Sequence, residues 1–111
     1  MKFKSDKYKR DRGGYSRMLE IRCEKCDAYL FHYQKDGPGP LKRVYSDRIY
    51  NNKNYSDLAI TKLTSQPPIK CAECQTVIGV PINYKKEDRL AFRLFQSSVV
   101  KKIVSRDSVS L

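Results

Sequence analysis

The sequence predicts a small all-β domain, mainly antiparallel, in which two small sheets are pinned together by one four-cysteine metal site. Three observations predict it. All four cysteines fall in two Cys-x-x-Cys pairs, Cys23-Glu-Lys-Cys26 and Cys71-Ala-Glu-Cys74. Two such pairs supply the four soft ligands of a closed tetrahedral zinc site. Short runs of alternating apolar and polar residues, bounded by Gly, Pro and Asn, carry the period of half-buried strands. Finally, the chain has 111 residues, about one domain, with eight tyrosines, four phenylalanines and no tryptophan. Tyrosine-rich cores favour strands, and domains of this size often add a metal staple.

Residues 1–17 are rich in Lys and Arg, opposed only by Asp6 and Asp11, and end near Gly13-Gly14. They read as a flexible basic arm, whose Tyr8 and Tyr15 either stack on bases or pack on the domain. Met18 to Arg22 alternates and forms a strand entering the first cysteine pair. Ala28 to Tyr33 is a second strand, with Tyr29, Phe31 and Tyr33 on one face and Leu30 and His32 on the other. Asp36-Gly-Pro-Gly-Pro40 cannot continue a ladder, because prolines lack an N–H. An extended pattern resumes from Leu41 to Tyr50, so residues 28–50 read as a hairpin with a Gly/Pro tip.

Asn51 to Asn54 is a loop, and Leu58 to Leu63 is a weaker strand, broken by Pro67-Pro68. Thr76 to Val80 is a β-branched strand ended by Pro81. Lys85 to Asp88 is a charged, solvated turn. Leu90, Phe92 and Leu94 alternate with their neighbours in a further strand, and Ser97 to Val104 forms the last. Residues 105–111 are a polar tail, leaving 18–104 as the zinc-stapled domain.

The cysteine pairs sit in a weak internal repeat. Ile21-Arg22-Cys23-x-x-Cys26 matches Ile69-Lys70-Cys71-x-x-Cys74, 48 positions later, and an apolar strand follows each copy. Two residues between cysteines allow a tight turn that aims both sulfurs at one ion. Four thiolates leave no open position, so the zinc has a structural role. Thioredoxin-like redox chemistry expects a βαβ context, and Fe–S motifs space their cysteines differently. Arg22, Lys25 and Lys70 lie beside the ligands and offset their charge. The lone histidine, His32, reads as an ordinary hydrogen-bonded side chain on its strand. With no spare cysteine and one histidine, no catalytic constellation assembles, and the chain is not expected to be an enzyme.

The gap between Cys26 and Cys71 is 44 residues, longer than the ~15–20 of ordinary zinc ribbons. With strands following both knuckles, this pattern resembles the β-tent zinc superfamily, which includes Yippee-like proteins, methionine sulfoxide reductase B, cereblon-type domains and RNA-sensing C-terminal domains of RIG-I-like receptors. The resemblance spans residues 18–104. It implies two antiparallel sheets meeting at an angle, with Cys23, Cys26, Cys71 and Cys74 holding one structural Zn²⁺ at one end. The reductases need a further cysteine and the cereblon-type pockets a tryptophan cage; neither residue is present here. A binding module remains. An enlarged zinc ribbon is the alternative architecture.

The net charge is +11, from 23 basic and 12 acidic residues, or about +9 with four thiolates and one Zn²⁺. That balance favours anionic partners, with RNA, DNA or a ribonucleoprotein first. The candidate nucleic-acid-binding residues are Lys35, Lys42, Arg43, Tyr45, Arg48 and Tyr50 around and after the tip, extended by Arg89 and Arg93. Lysines and arginines would hold phosphates while tyrosines stack on bases. An acidic protein partner, bound by an adaptor, is the alternative. No apolar run reaches membrane-spanning length. No secretory signal is visible, so the expected location is intracellular, cytoplasmic or nuclear.

Overall fold

The computed structural model describes residues 1–109. A five-residue helix, α1 (Lys7–Asp11), is followed by β1 (Ser16–Cys23), β2 (Tyr29–Asp36), β3 (Arg43–Tyr45), β4 (Ile49–Tyr50), β5 (Ile69–Lys70), β6 (Val77–Tyr84), β7 (Arg89–Leu94) and β8 (Val99–Val104). Every pairing is antiparallel. The strands form two four-stranded sheets, β4-β2-β1-β8 and β3-β7-β6-β5. Their apolar faces meet in one core that includes Leu19, Phe31, Val44, Ile78 and Phe92.

Register explains which side chains face inward. Leu19 lies opposite Tyr33, and Ile21 opposite Phe31. Directly opposed residues share a face, so the same inner face carries Arg17 and Lys35 at one end and, on β8, Lys101 and Ile103. β8 is an edge strand, and Lys101 and Ile103 are exposed there. Lysines on an edge also discourage pairing with another chain.

Three expectations about the strands change. The 28–50 hairpin closes only at its base, where His32 pairs with Tyr50 and Tyr33 with Ile49. Its far limb, β3, crosses to the other sheet and pairs with β7. The tip is responsible: Gly37 and Gly39 adopt φ of 73° and 106°, and the prolines cannot extend the ladder. Residues 60–65 form a 3₁₀ turn rather than a strand; Leu58, Ile60 and Leu63 still pack on the core. β6 runs through Pro81 to Tyr84. β5 pairs only as far as Gly79, so Pro81 lies on a free edge, where its missing N–H costs nothing.

The arm packs against the domain. Asp6 caps α1 by accepting from the Tyr8 and Lys9 amides, both at 3.1 Å. The Lys4 amide and carbonyl bond the side chain of Gln34 at 2.8 and 2.9 Å, and the N-terminal ammonium reaches Asp107 at 3.5 Å. Gly37 meets the Arg12 backbone so closely that a side chain there would clash. The tail expected over 105–111 begins with a 3₁₀ turn, Arg106–Ser108, and Val109 is buried; residues 110 and 111 lie outside the described residues.

Two ionic clusters bind the arm down. Arg48 bridges Asp6 and Asp36 at 2.7 and 2.9 Å. Arg12 and Arg89 both reach Glu87 at 2.9 Å, and Arg89 also pairs with Asp47. Glu87 is therefore not in a solvated turn. Burial alone would raise its pKa, but the bonds from Arg12 and Arg89 outweigh that and hold it below 4.5. Asp6 is likewise lowered from 3.8, with Arg48 and the Lys9 amide outweighing burial. A depressed carboxylate contributes stability that is present above its unfolded pKa and is lost as pH falls through its folded pKa. The melting temperature should therefore fall more steeply below 4.5 in the natural protein than in Glu87→Gln. All other titratable groups are common to both proteins, so the difference between their pH profiles isolates Glu87; identical profiles would contradict this.

Candidate metal centre and cationic cleft

The two cysteine turns are built alike. Each begins at a buried strand residue two positions before its first cysteine, Ile21 and Ile69, both 0% exposed. In each, the amide four residues after the first cysteine returns to that cysteine's carbonyl: Asp27 to Cys23 at 2.8 Å and Gln75 to Cys71 at 2.9 Å. Asp27 and Gln75 both adopt a left-handed backbone, φ 64° and 65°. Each turn then closes by a bond from the first cysteine's amide, Cys23 to Ala28 O and Cys71 to Thr76 O, both 2.9 Å. The repeat is thus one local structure made twice, once in each sheet.

The four sulfurs lie within 4.8 Å of one another. The short separations run between the turns, Cys23 to Cys74 at 3.7 Å and Cys26 to Cys71 at 3.6 Å. Metal–sulfur bonds of about 2.3 Å in a tetrahedron place sulfurs ~3.8 Å apart, so the donor set fits one closed ion. The cysteines are free rather than disulfide-bonded. The Thr76 hydroxyl, 3.1 Å away, together with the Thr76 amide, holds the Cys74 thiol down to about 6. At Cys26 a backbone bond from Ala28 also favours the thiolate, but desolvation and the crowding thiols push it up to about 12. Four neighbouring thiolates repel, and a divalent cation relieves that repulsion. Cys23 and Cys71 are buried while Cys26 is exposed, so the cluster lies at the rim where the sheets join. Arg22 is occupied by Glu20 at 3.0 Å and by the Asp27 carbonyl at 3.0 Å.

Half of the expected nucleic-acid residues are spent inside the protein. Arg48 is 1% exposed and Arg89 6%, both in the ion pairs above. Tyr45 is buried, its ring 3.8 Å from the Arg89 guanidinium and its hydroxyl accepting from Arg12 and Arg43. Tyr50 donates to Gln34 at 3.2 Å, and burial pushes its phenol up to about 12. A charged residue of a basic chain is not always at the surface; these four are framework.

Lys35, Lys42, Arg43 and Arg93 are distributed around two adjoining clefts. The first, about 310 Å³, brings together Arg12, Lys35, Lys42 and Arg43 with Tyr33 and Asp36. The second, about 590 Å³, shares Leu41 and Lys42 and adds Arg93, Phe95 and Lys101. Arg43 stands opposite Arg93 across the β3–β7 pair and lies 4.1 Å from the Tyr84 ring. Burial lowers the Lys35 pKa, and the like charges of Arg17 and Lys101 lower it further. Asp36, the acid lining the first cleft, is neutralised by Arg48. Sequence reasoning missed Arg12, Lys101 and Phe95. Arg12 lies in the supposed arm, and the other two follow β7, where only the β7-to-β8 change of sheet brings them beside Lys42.

His32 is buried, with Nδ1 against the Tyr29 hydroxyl and Nε2 3.3 Å from Ser108 Oγ. Burial holds its pKa below the ordinary value despite Glu20 nearby. No helix among the described residues is long and apolar enough to cross a membrane.

Fold and site together define a small two-sheet β domain with a four-cysteine cluster that can hold a metal ion and two adjoining cationic clefts. The chain matches no protein-family model, and no curated protein or solved structure is significantly similar to it.

Proposed function

We propose that this chain is a zinc-stapled binding module of an intracellular compartment, not an enzyme, and that it binds RNA in the cationic clefts. One observation carries the reading. Among the described residues, Lys35, Lys42, Arg43, Arg93 and Lys101 have no carboxylate within ion-pair distance, while the buried arginines are fully paired. Unpaired cations gathered along two adjoining concavities that share Lys42 form an electrostatic footprint for a phosphate chain. Zinc is supported by the all-thiolate, closed, tetrahedral spacing. Equivalent knuckles joining two antiparallel sheets support kinship with the β-tent group rather than an enlarged ribbon.

The test is salt-dependent binding of a labelled single-stranded RNA, read by anisotropy. Removing one phosphate-binding cation should reduce the slope of log affinity against log salt by about 0.7. Lys42→Ala and Arg93→Ala should each show that reduction while keeping the wild-type melting temperature. No binding at about 50 mM salt overturns the reading. Capture of one acidic protein by a nuclease-treated sample would instead favour the adaptor alternative.

A further inference from the structure

We infer that Phe95 is a base-stacking platform, which makes the larger cleft a site for an unpaired nucleotide; this rests on the RNA reading above. Phe95 is 46% exposed, although it directly follows a strand whose other aromatic, Phe92, is fully buried. Its backbone is fixed at the crossing from β7 to β8. The Phe95 amide donates to Ile78 O at 3.0 Å, and the Ser98 amide returns to Phe95 O at 3.2 Å. Ser98 Oγ donates to the same Ile78 carbonyl at 3.0 Å, and Ser97 takes φ 59° to close the turn. The ring is therefore presented by a pinned turn and not by a loose loop.

The surroundings match a nucleotide. Leu41, Leu94 and Val99 give the cleft an apolar side, and Lys42, Arg93 and Lys101 give it cations, with no acid among its described lining residues. An aromatic face accepts any base, while the adjacent cations take the phosphates on either side. Duplex bases are already stacked and offer no free face. The cleft therefore selects single strands, and with little preference among sequences.

The test compares two labelled oligomers of equal length: a mixed-sequence 12-nucleotide RNA, and its abasic counterpart with the same phosphates. Wild-type protein should bind the intact strand more tightly. Phe95→Ala should weaken binding of the intact strand about 5- to 150-fold, the range expected for loss of one stacked base. It should leave the abasic strand and the salt slope unchanged. Phe95→Tyr should restore intact-strand binding, and Phe95→Leu, which keeps an apolar side chain without a π face, should not. Unaltered melting temperatures show that the fold is retained. If Phe95→Ala leaves the preference for the intact strand in place, the stacking inference is overturned while the RNA reading stands. If wild-type protein binds neither strand, both fall. An oligoglutamate of equal charge bound as tightly, with the same dependence on Phe95, also overturns the inference.

Discussion

Exhaustive chelation should unfold this protein: its strand signal in far-ultraviolet circular dichroism collapses as metal is removed, and returns when Zn²⁺ is restored. The expectation follows from where the cluster sits. Each sheet contributes one knuckle, and the shortest sulfur–sulfur separations run from one knuckle to the other. Ile21 and Ile69, two residues before the first cysteines, are core residues of the two sheets. Without an ion, four crowded thiols at the seam must take up protons or repel. Structural zinc sites contribute roughly 10–16 kcal/mol of apparent binding free energy, against a usual net stability of about 5–15 kcal/mol for a whole domain. Substituting Cys71→Ser at a buried ligand should therefore give a protein that no longer melts cooperatively at ambient temperature. An unchanged melting temperature after complete metal loss, verified by metal analysis on the same sample, would contradict this account.

What could be read in advance divides along physical lines. The cysteine cluster was legible because its spacing is local: two intervening residues fix a turn whatever the rest of the chain does. The strands were legible where one face is buried, as where Leu19 and Ile21 alternate with the less buried Glu20 and Arg22. Partners were not. β3 leaves β2 for β7 because Val44 meets Phe92 across the sheet, a pairing 48 residues apart that no period reveals. The cleft suffered most. A basic residue carries the same letter whether it faces phosphate or an internal carboxylate, and Arg48 and Arg89 read like Lys42 and Arg93 until Asp6, Asp36, Asp47 and Glu87 are placed beside the first pair. The contacts of the arm were hidden for the same reason. Its charge suggested solvation, but Asp6 and Arg12 are halves of ion pairs whose other halves lie 42 and 75 residues away.

The second large effect is expected at Arg48. Its guanidinium is 1% exposed, donating to Asp36 at 2.9 Å and to Asp6 at 2.7 Å. Asp36, 5% exposed, also accepts from Ser16 Oγ at 2.6 Å and Gln34 Nε2 at 2.9 Å. Replacing Arg48 by Met leaves those neutral donors as the only partners of a buried carboxylate. Removing one partner of a buried pair costs about 3–5 kcal/mol, which at this chain length lowers the melting temperature by roughly 10–20 °C. The loss should fall at the lower end, because Asp6 is 38% exposed and can rehydrate. Arg48→Lys should recover little, since a single ammonium cannot reproduce the fork that spans two carboxylates. The double variant Arg48→Met, Asp36→Asn should recover most of the loss, because the cost lies in the orphaned charge rather than in the missing attraction. At temperatures where Arg48→Met remains folded, its RNA salt slope should equal that of the natural protein. A reduced slope would return Arg48 to the binding surface, and a double variant no more stable than the single one would show that shape, not charge, is what Arg48 supplies.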